Sequence, residues 1–215
     1  MEDYSELYWE SSWKAEPAEE LYQYLNGYNK LKNPVIDLFR QYGVKKVCDA
    51  ACGFGGYMLA FASNGFEVQG FDISKTAVEI TRKGLEKFQI DVSGIKVASI
   101  LATGYADATF DGVIANSVLD HLKAEDARKA LNELFRITKE GGLVMFSLDA
   151  LENEDLEAEH IVLEDGSFLY TGEDGRKNMI FHHYDWENTR TLIEGRAVIY
   201  EGTNHRGQQI IVLQK

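Results

Sequence analysis

The chain has 215 residues, enough for one domain with a substantial buried core, and its composition is that of an ordinary globular protein. Its 22 basic and 35 acidic residues give a net charge of -13, which disfavours nucleic acid as a partner because phosphate binding relies on clustered Lys and Arg. No stretch approaches the ~18 apolar residues of a membrane span, and the acidic start lacks the apolar core of a signal peptide. These features predict a cytoplasmic protein with no membrane partner.

The first segment, residues 1–33, is rich in aromatic side chains, and Leu21, Leu25 and Tyr28 recur at helical spacing. Two interpretations stay open. The rings either pack this segment onto the main core or form a lid over a ligand site. The lid candidates are Tyr8, Trp9 and Trp13.

A strand, a tight turn and a helix are predicted for the stretch from Lys46 to Tyr57, KVCDAACGFGGY. A short apolar run ends in Asp49, and Gly53 and Gly55 precede an apolar segment with helical spacing. Small residues at such a turn let a ligand approach the free backbone N–H groups at the start of the helix. The next predicted strand ends in Asp72, at a distance along the chain that suits a carboxylate bound to a ribose diol.

Several nucleotide sites share this arrangement. The dinucleotide fingerprint needs a third glycine, but Met58 stands at that position. A carboxylate at Asp49 would repel a pyrophosphate and attract an α-ammonium group. S-adenosylmethionine carries an ammonium group, a sulfonium and a ribose but no phosphate, so it suits this turn better than a dinucleotide. The sequence contains no P-loop motif.

Both cysteines, Cys48 and Cys52, lie in this turn region. A disulfide framework would be spread along the chain, and zinc would need further ligands close to this pair. We therefore expect reduced, buried thiols and predict no metal site.

Over roughly residues 34 to 150 the chain resembles the class I S-adenosylmethionine-dependent methyltransferases. The resemblance is carried by Val47 to Gly55, by Asp72, by Ser99-Ile100, by Phe110 to Ile114 with Asn116-Ser117, and by Gly141 to Phe146, in the family's order. It implies S-adenosyl-L-methionine as cofactor and S-adenosyl-L-homocysteine as product. The cofactor-binding residues that it implies are Asp49, Ala51, Gly53, Gly55, Asp72, Ile73, Ser99, Ile100, Asn116 and Ser117. Ala51 stands where the family commonly has a glycine, and Ser99 where it often has Asp.

Strands alternate with helices along this region, which predicts a parallel sheet with ligands at the carboxyl ends of its strands. Helix starts are marked by Asn33-Pro34, Ser74 and Asp185, all favourable capping sequences. The expected fold is α/β: a doubly wound, mostly parallel seven-stranded Rossmann-like sheet with an antiparallel last strand, an N-terminal helical lid and a small β-meander. We expect a single domain of residues 1–215. Its parts are the lid (1–33), the cofactor-binding core (34–150), an acidic connection with the meander (151–184) and a closing helix and hairpin (185–215).

The pattern changes in the last third of the chain. Residues 150–160 are acidic and predict a solvated connection. Three β-like runs separated by Asp-Gly turns then predict a meander, His160 to Leu163, Ser167 to Thr171 and Lys177 to Tyr184. Because it follows the fifth strand, we expect the meander to cover the substrate.

Methyl transfer from a sulfonium needs a base only where the acceptor must lose a proton. The candidates are His121, His182, His183 and Tyr184, with Tyr170 as a weaker substrate-contacting candidate. For each histidine a surface or packing role stays open.

These residues predict a methyltransferase that acts on nitrogen or oxygen of a small molecule, with sulfur left open, as a monomer or homodimer. The alternatives are a protein or peptide methyltransferase, which would need an open groove, and a non-catalytic S-adenosylmethionine-binding protein. A nicotinamide-dependent oxidoreductase is disfavoured by Asp49 and Met58.

Overall fold

A parallel sheet with a closing antiparallel pair runs through the molecule, which is described over residues 4–215 by a computed structural model. The strands of that range are β1 (Lys46–Ala50), β2 (Glu67–Asp72), β3 (Ile95–Val97), β4 (Phe110–Ala115), β5 (Thr138–Leu148), β6 (His160–Val162), β7 (Phe168–Tyr170), β8 (Ile180–Phe181), β9 (Ala197–Thr203) and β10 (Gln209–Gln214). The main sheet has seven strands in the order β3-β2-β1-β4-β5-β10-β9. Strands β1 to β5 pair in parallel, and β10 pairs antiparallel with both of its neighbours. The predicted fold class is confirmed.

Helices cover both faces of this sheet and the edge above its carboxyl ends. They are α1 (Tyr4–Ala15), α2 (Ala18–Tyr28), α3 (Pro34–Gln41), α4 (Gly56–Ser63), α5 (Lys75–Glu86), α6 (Ala124–Ile137), α7 (Asn153–Glu157) and α8 (Trp186–Leu192), with a short 3-10 helix at Leu119–His121. The three predicted N-caps are present. Asn33 accepts from the N–H of Val35, Ser74 from that of Ala77, and Asp185 from that of Asn188.

The core is divided by the central strands, whose side chains alternate between the two faces. Ile114 of β4 points to the face covered by α3, where it packs with Ile36 and Phe39. Its neighbour Val113 points to the opposite face and packs with Leu131 of α6. Burial on both faces is what holds a parallel sheet in place and accounts for the apolar strand sequences.

The predicted meander is confirmed as a separate antiparallel sheet of β6, β7 and β8. The acidic connection is ordered into the short helix α7, which has no buried residue and begins with a capping box between Glu152 and Asp155. Arg176, from the turn before β8, pairs with Asp155 at 3.0 Å and accounts for this order. The helix α6 ends at Ile137, and Gly141 and Gly142 lie within β5.

Within residues 4–215, no helix is both long enough and apolar enough to span a bilayer.

Candidate active site

A cavity of about 590 Å³ opens at the carboxyl ends of β1, β2 and β4, beneath α1 and α2. This is the edge at which the alternating sequence predicts ligand binding. Its lining includes twelve of the predicted residues, namely Trp9, Trp13, Asp49, Ala51, Gly53, Asp72, Ile73, Ser99, Ile100, Asn116, Ser117 and His121. The structure thus brings nine of the ten predicted cofactor residues, two lid candidates and one catalytic candidate to a single pocket.

The turn after β1 lies against this pocket in a conformation that favours glycine. Gly53 and Gly55 have φ values of 55° and 87°. A Cβ added to Gly53 would lie 3.0 Å from the ring of Trp13, so the bare backbone faces the space under α1. Gly55 does not line the pocket; it caps α4, and a Cβ there would meet Thr81 of α5 at 2.9 Å.

Ala51 shares the left-handed conformation, with φ of 58°. The family commonly has glycine at this position, and an L side chain pays about 1–2 kcal/mol for the left-handed region. Ala51 therefore adds backbone strain in the lining of the pocket.

Two buried carboxylates stand at the adjacent ends of β1 and β2. Asp49 and Asp72 are each 4% exposed, and in residues 4–215 neither forms an ion pair with Lys or Arg. Burial, and after it the charge of Asp72, raises the pKa of Asp49 to about 8. Burial also raises the pKa of Asp72, against hydrogen bonds from the N–H groups of Ser74 and Gly53, both at 2.9 Å. Asp72 and, once it has lost its proton, Asp49 attract cations and hydroxyl donors to this end of the pocket and repel phosphate.

The far end of the pocket is formed around His121, at the end of the 3-10 helix that follows β4. Its Nδ1 lies 3.2 Å from the carbonyl oxygen of Ile180 in β8, and its Nε2 lies 3.9 Å from Oδ2 of Asp149. The ring of Trp9 meets the imidazole edge-on, with centroids 5.0 Å apart. The helix α1, the strand ends and the meander therefore converge on this imidazole.

Asp120 lies next to His121 and is fully buried. Its Oδ2 accepts the N–H of Asp149 at 2.7 Å. Burial raises the pKa of Asp120 to about 6, with the charge of His121 lowering it and that of Asp149 raising it.

The segment α1 is fastened over the pocket by one carboxylate. Glu10 accepts hydrogen bonds from the hydroxyls of Ser74 at 2.7 Å and Thr76 at 2.8 Å, and from the N–H of Thr76 at 3.1 Å. Burial opposes the charge, but these bonds outweigh it and lower the pKa of Glu10 to about 2. Glu10 thereby lies at the N-terminal end of α5, where the helix dipole favours an anion.

Five other predicted residues are not among those that line the pocket. His182 bonds Ser167 through Nδ1 at 2.9 Å, and the hydroxyl of Tyr170 donates to the carbonyl of Asp155. The remaining three are His183, Tyr184 and Tyr8, of which Tyr184 is buried in the core and Tyr8 packs on Trp9. Of the meander strands, β8 contributes Ile180 to the pocket lining.

Several site residues escaped the sequence analysis. Asp149 directly follows β5, so the rule of polar residues at strand ends that identified Asp49 and Asp72 could also have identified it. Gln208 is less predictable, because it reaches Ser117 at 3.1 Å from the turn of the last hairpin. No local pattern marks Glu10 as the residue that fastens α1.

Residues 48–146 match the family described as "Methyltransferase domain". A tRNA (carboxymethyluridine(34)-5-O)-methyltransferase of Arabidopsis thaliana is 36% identical over 111 residues, which are 51% of this chain and 25% of that protein. A ubiquinone biosynthesis O-methyltransferase of Alkalilimnicola ehrlichii is 28% identical over 48% of this chain and 41% of its own length. The chain thus spans less than half the length of these two curated relatives.

A crystal structure of a SAM-dependent methyltransferase from Methanosarcina mazei superposes with a TM-score of 0.69 at 22% identity, covering 86% of this chain and 98% of that one. The fold and pocket define an α/β protein with a cleft at the carboxyl ends of its strands, lined by the carboxylates of Asp49 and Asp72. Residues 48–146 thus match a methyltransferase domain, and the fold is that of the S-adenosylmethionine-dependent methyltransferase family.

The pocket fits that family's cofactor. The carboxylates of Asp49 and Asp72 lack cationic partners in residues 4–215, and the bare backbone at Gly53 leaves room beside them. An ammonium group and ribose hydroxyls would satisfy both carboxylates.

Proposed function

We propose that the chain transfers a methyl group from S-adenosylmethionine to a nitrogen or oxygen of a small molecule, with sulfur left open. The observation that carries this proposal is one pocket, covered in part by α1, that has two different ends. Asp49 and Asp72 suit the cofactor at one end, and His121 with the ring of Trp9 forms the other.

At the cofactor end, Asp49 would hold the ammonium group and Asp72 the ribose hydroxyls. The adenine would lie against the side chains that follow β2 and β3, which are Ile73, Ser99 and Ile100. The bound cofactor supplies a methyl group that is already activated by its sulfonium. The chain's own task is then to position the acceptor and exclude water, for which orientation alone can supply a large part of the rate.

At the acceptor end, our catalytic candidate is His121, whose position in the pocket lining supports the proposal. The aromatic rings of α1 close this end and would pack on a flat, largely apolar acceptor. Rings near the sulfonium would add cation–π attraction. The buried position under α1 supports a small acceptor over a protein or peptide, which would need an open groove.

A second candidate acceptor is RNA, because the Arabidopsis relative is named as a tRNA methyltransferase and is 36% identical in the matched region. The net charge of -13 opposes this, since binding of an RNA substrate depends on a basic surface.

Localisation in the cytoplasm and a monomeric or homodimeric state remain part of the proposal.

The test combines cofactor binding with an acceptor screen. We expect calorimetry to show binding of S-adenosylhomocysteine and no binding of NADH. Radiolabelled S-adenosylmethionine should then label a metabolite fraction and leave total tRNA and protein unlabelled. Labelled tRNA would replace the small-molecule acceptor with RNA, and binding without any methyl turnover would favour a non-catalytic cofactor-binding protein. Absence of cofactor binding would refute the proposal.

A further inference from the structure

Two carboxylates and one imidazole converge beside the pocket. Ligand atoms of Asp120, His121 and Asp149 all lie within 4.8 Å of one another. In the part of the chain that the structure describes, Oδ1 of the fully buried Asp120 has no hydrogen-bond partner. A buried carboxylate oxygen without a partner carries a substantial desolvation penalty.

The hydrogen bond that the ring of His121 makes explains why this ring does not offset the desolvation penalty of Asp120. The carbonyl oxygen of Ile180 can only accept, so the Nδ1 that faces it at 3.2 Å must carry the proton. In the neutral ring, Nε2 then presents a lone pair toward Oδ2 of Asp149, 3.9 Å away. Nε2 of His121 and Oδ2 of Asp149 are thus two acceptors that face each other, and the carboxylate of Asp120 lies beside them. A cation bound among these atoms would satisfy them.

Asp149 is held so that one of its oxygens stays available. Its Oδ1 accepts from the hydroxyl of Ser117 at 2.9 Å and from the side-chain amide of Gln208. Its backbone N–H donates to Oδ2 of Asp120. These contacts orient the two carboxylates toward the imidazole, as outer-shell hydrogen bonds orient the ligands of a metal ion.

We propose that Asp120, His121 and Asp149 bind a divalent cation at the pocket wall between Ser117 and His121. Two carboxylates and one imidazole form a mixed oxygen and nitrogen set that suits Mn²⁺ or Zn²⁺. With metal–ligand bonds of ~2.1 Å, ligand atoms lie at most ~4.2 Å apart. The three side chains would therefore close on the ion by a small movement.

This site deepens the proposed function and, in its catalytic part, rests on it. Three protein ligands leave coordination positions of the cation open, and a molecule bound in the pocket would fill them. An acceptor oxygen bound there would lose its proton more readily to solvent. It would then form the bond to the methyl carbon while the methyl–sulfur bond breaks and the cofactor leaves as a thioether. The inference narrows the acceptor to an oxygen-bearing molecule and makes His121 a ligand.

The test is a titration of the full chain with Mn²⁺ alone, without cofactor or acceptor. Binding is measured by electron paramagnetic resonance. We expect one bound Mn²⁺ per chain in a titration to ~1 mM, the weak end of protein sites for divalent cations. Asp149→Asn and His121→Gln should each weaken binding at least ~10-fold. Asp149→Asn is the safer variant, because its side chain is partly exposed and the amide keeps an acceptor for Ser117.

The matched control is Asp107→Asn, which changes an exposed carboxylate paired with Arg136 and should leave Mn²⁺ binding unchanged. No binding up to that concentration, or equal binding by wild type and Asp149→Asn, would overturn the inference. Parallel titrations with S-adenosylhomocysteine separate the two proposals. Mn²⁺ binding without cofactor binding would refute only the proposed function.

Discussion

The two ends of the pocket are built from different kinds of sequence. The cofactor end takes Asp49, Gly53 and Asp72 from neighbouring parallel strands and the turn that follows the first of them. The acceptor end brings His121 together with Trp9 of α1, Asp149 after β5 and Ile180 of the meander, which are far apart in the chain.

The difference follows from what each end must recognise. A strand–turn–helix unit fixes the positions of its own backbone N–H groups and strand-end side chains, so its binding chemistry is local. The acceptor end depends on how three separate elements dock on the sheet. We therefore expect changes in the first region to affect cofactor binding directly, and changes in the second to alter acceptor chemistry while the cofactor still binds.

The largest effect is expected from Gly53→Val. Its side chain would enter the cofactor space, where even a Cβ lies 3.0 Å from Trp13, and would force a β-branched residue to a φ of 55°. Calorimetry should detect no binding of S-adenosylhomocysteine, while Mn²⁺ binding at the acceptor end is retained. The matched control is Gly195→Val, which has a similar φ of 77° but open space around it. Cofactor binding by Gly53→Val would contradict the close approach of the cofactor to this turn.

The next effect is that of Asp72→Ala. Removing the carboxylate should weaken binding of S-adenosylhomocysteine by about 1–3 kcal/mol, or roughly 5- to 150-fold in Kd, through lost hydrogen bonds to a charged acceptor. Asp111→Ala is a useful control, because Asp111 also accepts two backbone N–H groups, from Lys45 and Lys46, outside the pocket. Wild-type affinity in Asp72→Ala would contradict the ribose assignment.

A pH dependence tests the charge of Asp49. Because burial and Asp72 raise its pKa from 3.8 to about 8, the free protein holds a proton there at neutral pH. An ammonium group favours the carboxylate, so binding should release that proton and the affinity should rise with pH, at most tenfold per unit, until about pH 8. Asp49→Asn should flatten this dependence in calorimetry at several pH values. The same slope in the variant would assign the proton to another group.

The pH dependence of folding stability has the opposite sign to that of cofactor binding. Between about pH 4 and pH 8 the folded free protein keeps a proton on Asp49 that the unfolded chain has released. Raising the pH through this range should therefore lower the free energy of unfolding, and bound cofactor should offset the loss.

A smaller effect is expected from a change at Glu10, which fastens α1 over the pocket. Glu10→Gln weakens the hydrogen bonds that fasten α1 to Ser74 and Thr76 and removes the charge at the start of α5. Dissociation of S-adenosylhomocysteine should become roughly 3- to 10-fold faster in stopped-flow measurements. The exposed Glu16→Gln, just beyond α1, should leave the rate unchanged. An unchanged rate in Glu10→Gln would show that α1 does not limit cofactor release.

The contrast between the two ends also explains what could be predicted from the sequence. The sheet, the capped helices and the cofactor residues follow from short-range patterns, since a strand and the turn after it determine where Asp49 and Gly53 lie. His121 was identified because it too follows a strand closely. By contrast, the face on which a meander presents its histidines depends on register against β7, and His182 points to Ser167 instead of the cavity.

Long-range contacts set the remaining features. The role of Glu10 exists only once α1 lies across α5, and the role of Gln208 only once the last hairpin reaches Ser117. Neither residue differs in its local sequence from an ordinary surface residue. Such pairings depend on the packing of whole elements, which periodicity and spacing do not specify.

The smallest predicted effect concerns Ala51, whose φ of 58° places an L side chain in the left-handed region at the cofactor end. Ala51→Gly should relieve that strain, and after the larger chain entropy of glycine is subtracted we expect a gain of about 0.5–1 kcal/mol in the free energy of unfolding. Urea denaturation of the free protein measures it. Ala108→Gly is the matched control, because Ala108 has a φ of 51° in an exposed turn outside the pocket. A similar gain at both positions would assign the effect to the backbone alone, whereas a loss at Ala51 would mean that its methyl group packs usefully beside the cofactor site.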